Sequence, residues 1–454
     1  MSAVTARSTL AAVCGDRVRA LQHALYRAAK ADPGRQFHAL FDKIHRRDVL
    51  QRAWEQVRRN RGAPGIDRIT LAAVEEYGVD RLLGELAADL RNGSYRPLPA
   101  RRVFIPKPGR AERRPLSIPA VRDRVVQTAA KIVLEPVFEA DFLPCSFGFR
   151  PKRAAHDALQ VLLDETFRGR AWVVETDIAN CFSAIPHDRL MLAVEERLCD
   201  RHVLKLLRAM LRAGVMEDGQ VRRPATGTPQ GGPLSPLLCN AYLHRLDRAW
   251  PVAGHGTLVR FADDLVVCCD SRRQAEAALA RLTSLLADLG LEPKAAKTRI
   301  VHLTVGGEGF DFLGFHHRLV RARGRTGARR ITFLARWPSR QAAQHARDRV
   351  RELTARSRLL VPVDQVAGEV NGFLRGWAGY FRYGNSAREF DKISTFALAR
   401  LALFMAKRHK RSRAWGWRLV AYQAPDRLGL ISLTGTVVAP RPIWGWRAPA
   451  EYRR

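Results

Sequence analysis

Acidic residues are in short supply in this sequence. Its 454 residues carry 44 Asp and Glu against 77 Lys and Arg, a formal net charge of +33. A field of that sign suits a polyanion, with nucleic acid the leading partner and an anionic membrane surface the rival. Long apolar runs are missing too. No stretch approaches the length of a bilayer span, and the basic residues are spread along the chain instead of forming one amphipathic anchor, so no membrane partner is expected. Cysteine is sparse: seven residues, an odd number, with no zinc-like pairing. Buried free thiols in a reducing cytosol are the expected state. The N-terminal segment contains Arg, Ser and Thr but no continuous apolar core, and it carries Asp16, so no secretory signal is expected and the location is cytoplasmic.

Against this background of few acids, the placement of three of them stands out. Leu258-Val259-Arg260-Phe261 and Leu265-Val266-Val267 are short β-prone runs flanking Ala262-Asp263-Asp264, which predicts a hairpin holding carboxylates at its turn. Adjacent aspartates repel, and a hard divalent cation with its preference for oxygen ligands removes the repulsion. A second β-prone run, Trp172-Val173-Val174-Glu175-Thr176-Asp177, also ends in an acid. Should Asp177 lie beside the hairpin tip, three carboxylates would converge, enough to hold two metal ions about 4 Å apart for in-line phosphoryl transfer.

Asp177-Ile178 with Phe182, then Thr228-Pro229-Gln230-Gly231-Gly232-Pro233-Leu234-Ser235-Pro236, then Phe261-Ala262-Asp263-Asp264 occur in the order found in reverse transcriptases. The chain most resembles the bacterial group II intron type, which usually has Tyr where Phe261 stands. The resemblance implies an α+β fold: a right-hand polymerase with fingers, an antiparallel palm sheet and a helical thumb. It implies Asp177, Asp263 and Asp264 as catalytic ligands of two Mg²⁺ ions, with the Ile178 carbonyl as a possible extra ligand. Phe182 would crowd the incoming sugar and select dNTPs. Lys107 and Arg114, from a basic β finger over 101–119, would contact the triphosphate, with Gln230 nearby. Lys297, in Pro293-Lys294-Ala295-Ala296-Lys297, would stabilise or protonate the departing pyrophosphate.

For nucleic-acid contact the candidates are Arg150 in Phe147-Gly148-Phe149-Arg150-Pro151, Gly231 and Gly232, whose bare backbone permits close approach, and Arg375 and Arg382. The aromatics Phe147 and Phe149 would either stack on bases or pack in the core. The basic run Lys407, Arg408, Lys410 and Arg411, interleaved with Trp415 and Trp417, suits phosphate contact plus stacking. In Val370 to Tyr383 the apolar residues have helical spacing and are expected in the core, with Gly372 and Gly376 letting a neighbouring helix come close. This segment resembles the maturase (thumb, or X) domain of group II intron proteins.

The expected division is a helical extension over 1–36, fingers and palm over 37–320, thumb over 321–400 and a basic segment over 401–454. Helices are expected near 36–60 and 187–213. With no cysteine after Cys269, the zinc-dependent endonuclease that the family often carries is expected to be absent. The implied partners are a group II intron RNA, an RNA template with a DNA primer, and a DNA target, in a nucleoid-associated setting. Two other readings stay open: a domesticated reverse transcriptase in defence or repair, and a non-catalytic RNA-binding splicing factor.

Overall fold

The computed structural model describes residues 16–106, 113–223, 225–323, 330–423 and 428–440. Its strands are β1 (Ala100–Pro106), β2 (Arg113–Ile118), β3 (Trp172–Asp177), β4 (Val215–Glu217), β5 (Gln220–Arg222), β6 (Thr257–Phe261), β7 (Asp264–Cys269), β8 (Arg299–His302), β9 (Phe310–Phe312), β10 (Phe315–Arg323) and β11 (Arg330–Pro338). They form three sheets in the orders β2-β1-β4-β5, β6-β7-β3-β8 and β11-β10-β9. The β6-β7-β3-β8 sheet is antiparallel throughout and carries the site.

Strand periodicity explains how that sheet is held. Val174, Leu258, Leu265 and Val267 belong to one core, while Val173, Val259, Val266, Cys268 and Val301 belong to another. Burial on both faces is why β3 and β7 read as continuous apolar runs rather than alternating ones. Helices Val121–Glu139, Arg201–Arg212, Ser235–Ala249 and Arg272–Asp288 supply the first core; Ala155–Phe167 and the C-terminal helices Arg340–Leu353, Val363–Phe381 and Ala387–Arg408 supply the second. The C-terminal helices therefore share a core with the sheet. Phe310, Phe312 and Phe315 pack with Trp377, Phe381 and Phe390, the Phe315 and Phe381 rings lying 4.8 Å apart. The 320/321 division falls inside β10, whose partner β11 stands where helix alone was expected.

Other local expectations shift for visible reasons. The helix expected over 36–60 is two helices, Phe41–Ile44 and Arg47–Arg59. Phe37 pairs its backbone with residues 197–199 instead, its N–H donating to the Arg197 carbonyl at 2.8 Å. The helix expected over 187–213 is likewise split into His187–Glu195 and Arg201–Arg212. Asp200 lies in the break and accepts backbone N–H bonds from Leu40, Phe41, His202 and Val203. Burial pushes its carboxyl up, but those four donors outweigh burial and hold it below the ordinary range. In the N-terminal helix Arg17–Ala31 the buried face is Val18, Leu25 and Ala29, with Ala24 left in solvent.

Two enclosed histidines predict an acid-sensitive fold. His317 is fully buried and stacked on Phe310, centroids 4.8 Å apart. Burial, then the Arg336 guanidinium facing it across β10 and β11, holds its pKa well below the usual value. Burial likewise pushes His244 down to about 4. Between these depressed values and the unfolded value near 6.5, the unfolded chain binds more protons than the folded one, so stability falls as pH drops through that window. We expect a loss on the order of 2–3 kcal/mol from His244 alone between pH 7 and 4. In urea unfolding at pH 7 and pH 5, His317→Phe, which keeps the stack, should show a smaller pH difference than the native chain. An unchanged difference would mean that His317 takes no part in it.

Candidate active site

β3 ends at Asp177, and its antiparallel register with β7 sets Asp177 opposite Asp264. Directly opposed residues share a face, here the face of Val173 and Val266, so two carboxylates emerge side by side where the second core ends. β6 and β7 are joined by Ala262 and Asp263 alone. Ala262 sits at φ 57°, the left-handed geometry that two-residue hairpin turns demand. The Ile178 N–H donates to the Asp263 carbonyl at 3.0 Å, pinning the hairpin tip to the end of β3. Three carboxylates thus come from two separate stretches of chain.

A cation comes from a third. The turn Ala295–Lys297 is stapled to β3: the Lys294 N–H donates to the Asp177 carbonyl at 2.7 Å, and the Thr176 and Thr298 hydroxyls lie 2.7 Å apart. The Lys297 ammonium then donates to Asp177 Oδ2 at 2.6 Å and stands 3.9 Å from Asp264 Oδ1. Burial, reinforced by Asp177, pushes Asp263 up; burial, Asp177 and Asp263 together push Asp264 up to about 7. A dication reverses this balance, and carboxylate oxygens are the donors Mg²⁺ prefers. The donor chemistry fits such an ion. Among the described residues, however, no three His, Cys, Asp or Glu side chains are already gathered as a cage.

Behind the hairpin lies a network with a faint sequence signal, a charged residue inside an apolar strand. Arg260 is completely buried, as is its partner Asp247. Its guanidinium donates to both Asp247 oxygens (2.8 and 2.6 Å), to Asn240 Oδ1 (3.0 Å), to Ser146 Oγ (2.7 Å) and to the Ala262 carbonyl (3.1 Å). Burial would discharge it, but Asp247 keeps it firmly charged. Asn240 also donates to the Gly148 carbonyl at 2.7 Å. A Cβ on Gly148 would lie 2.5 Å from the Ala262 nitrogen, so only glycine lets this loop brace the turn.

Residues 105–317 match the model of the family described as Reverse transcriptase (RNA-dependent DNA polymerase), and 343–422 match Group II intron, maturase-specific domain. Protein YkfC of Escherichia coli K12 is 35% identical over 356 residues, covering 68% of this chain and 90% of that one. The chain belongs to the group II intron reverse transcriptase/maturase family. Group II intron-encoded protein LtrA of Lactococcus lactis subsp. cremoris is 37% identical over 214 residues, 47% of this chain and 35% of LtrA. A 91 kDa protein in the cob intron of Schizosaccharomyces pombe is 26% identical over 458 residues, 85% of this chain and 55% of its own. An RNA-directed DNA polymerase domain and an intron-maturase domain thus share one chain. Reverse transcriptases use divalent metal ions. Among the described residues no helix is long and apolar enough to cross a membrane.

Asp177, Asp263 and Asp264 all fall inside the reverse transcriptase match. Arg114 is exposed on β2, near enough to Asp263 to favour its charged form. Phe182 is half-buried on the turn Cys181–Ala184, its carbonyl accepting the Thr228 N–H at 2.6 Å. Gln230 lines a recess of about 180 Å³ with Ser117, Ser183 and Thr228. Lys107 lies outside the described residues.

Several expected nucleic-acid contacts serve the fold instead. Arg150 is buried; its guanidinium binds Glu139 and the carbonyls of Phe142, Leu143 and Ser146, leaving nothing to offer a phosphate. A Cβ on Gly231 would lie 2.6 Å from the Ser117 carbonyl, and one on Gly232 2.8 Å from Gln127 Oε1. These glycines let β2 and the neighbouring helix come close, and Gly231 stays exposed. Arg408 donates to the Leu359 and Val361 carbonyls, both at 2.6 Å. Arg375, Arg382, Lys407, Lys410 and Arg411 remain exposed. Trp415 and Trp417 pack onto the small core around Val366 and Phe404 and stay half-buried. Phe147 is core, whereas Phe149 is exposed. Gly372 and Gly376 face open space, with no helix of the described residues against them.

Proposed function

We propose that this chain copies RNA into DNA from a primer 3′-hydroxyl, binds a group II intron RNA, assists its splicing, and inserts it into a DNA target by target-primed reverse transcription. In this reading the β6-β7-β3-β8 sheet is the palm, the β1–β2 hairpin belongs to the fingers and the C-terminal helices form the thumb. The observation that carries it is the meeting of Asp177, Asp263 and Asp264 at one sheet end, in a chain that also has the maturase-specific domain. A retired splicing factor has no need of three acids brought to one sheet end, two of them, Asp263 and Asp264, where burial disfavours their charge.

Asp177, Asp263 and Asp264 would hold two Mg²⁺ ions, with the Ile178 carbonyl as a further oxygen. When bound, the ions lower the pKa of the primer hydroxyl and steady the departing pyrophosphate. Arg114, with Lys107, supplies the charge-assisted bonds that orient a triphosphate. Phe182, fixed on its short turn, would crowd the incoming sugar and select dNTPs. Arg375, Arg382, Lys407, Lys410 and Arg411 are the exposed cations that would follow an RNA backbone.

The test is primer extension by the full chain on an RNA template with a DNA primer, dNTPs and Mg²⁺, paired with crosslinking in the host to identify the bound RNA. One abundant structured RNA whose ends bracket this gene supports the intron reading. A different small RNA, or scattered transcripts, would leave a domesticated polymerase. Within the same assay, Phe182→Ala should lower discrimination against ribonucleotides by on the order of 10–100-fold, read as the ratio of kcat/KM for dNTP and rNTP. An unchanged ratio would make Phe182 a packing residue.

A further inference from the structure

We infer that Lys297 is a resident counter-cation of the carboxylate site: it holds the aspartates together in the metal-free chain and yields Asp177 when metal ions bind. This rests on the reading that Asp177, Asp263 and Asp264 are the metal ligands. One ammonium spans two of the three, at 2.6 Å from Asp177 Oδ2 and 3.9 Å from Asp264 Oδ1, where a dication would be drawn.

The reach of the lysine is not incidental. Its turn is tied to β3 through the Lys294 N–H on the Asp177 carbonyl and through the Thr298 and Thr176 hydroxyls, so the backbone delivers Nζ to this recess. The two partners differ in their freedom to move. The Lys297 side chain is 38% exposed and has solvent to swing into, whereas Asp177 is 12% exposed and anchored at a strand end. A monocation and a dication in one recess repel, so the ammonium must move outward for the ion to settle. The lysine therefore weakens metal affinity while preventing the empty carboxylates from driving the hairpin tip off β3. Beyond any part in steadying the leaving group, the ion pair gives Lys297 a role before substrate arrives.

The test uses the full chain and Mn²⁺ as probe, with free Mn²⁺ read by its paramagnetic resonance signal and stability by thermal melting. Lys297→Met keeps the stem and removes the charge. It should bind Mn²⁺ on the order of tenfold more tightly than the native chain, melt at a lower temperature in EDTA, and regain native stability in Mn²⁺. Lys297→Arg should stay near the native affinity. Equal or weaker Mn²⁺ binding by Lys297→Met, or an unchanged melting temperature in EDTA, overturns the inference. Asp263→Asn separates the counter-cation role from the metal site on which it depends. Loss of Mn²⁺ binding in that variant supports the metal site itself, and native affinity there overturns the underlying reading.

Discussion

Asp263→Asn is expected to lower the rate of primer extension on the order of 10³-fold or more, because removing one of the carboxylates proposed to hold metal would withdraw several kcal/mol of transition-state stabilisation. The fold should survive and, without metal, gain. Asp263 sits at a two-residue turn whose backbone is held by the Ile178 N–H, a bond that asparagine leaves intact. Its charge is disfavoured first by burial and then by Asp177. Neutralising it should therefore raise the melting temperature in EDTA even as catalysis disappears. RNA binding, which we assign to the exposed cations Arg375, Arg382, Lys407, Lys410 and Arg411, should be unchanged in a filter-binding assay. That combination separates an enzyme from a splicing factor on a polymerase fold. Undiminished extension by Asp263→Asn would remove the catalytic assignment altogether.

The second large effect lies behind the hairpin. Arg260→Met leaves Asp247 buried without its partner and should cost about 3–5 kcal/mol of stability. Replacing both members, Arg260→Met with Asp247→Leu, should recover most of that loss, since apolar residues of similar volume often match a buried ion pair. Catalysis should not recover with it. The Ala262 carbonyl loses the 3.1 Å bond that steadies its left-handed turn, and Asp263 is the next residue. Urea unfolding and primer-extension kcat, measured together on the single and double variants, distinguish the two roles. Full activity in a restabilised double variant would reduce Arg260 to a structural residue that does not position the turn.

A good part of this molecule is legible in its residues alone. The hairpin of β6 and β7 and the strand ending at Asp177 follow from short β-prone apolar runs, and the apolar face over 370–381 from a period of 3.6, which are local properties of a chain. The acids at those strand ends can be picked out because the rest of the sequence is so basic. Their meeting is another matter. Whether Asp177 stands opposite Asp264 depends on a register between strands far apart in sequence, and no local pattern encodes that.

The same non-locality explains where residue type misleads. Arg150 looks like any other arginine in a basic chain, yet Glu139 and three carbonyls enclose it; Arg260 looks like an interruption in a strand, yet it is the buried brace of the turn that carries Asp263. Gly231 and Gly232 promise open backbone, and β2 and Gln127 stand where a side chain would go. Sequence by itself determined which chemistry the chain carries, because carboxylates, cations and small residues are chosen by type and spacing. Only the tertiary structure decided which of them meet at one sheet end and which are enclosed, because burial and the partner of each charged group are set by segments that meet in space and not along the chain.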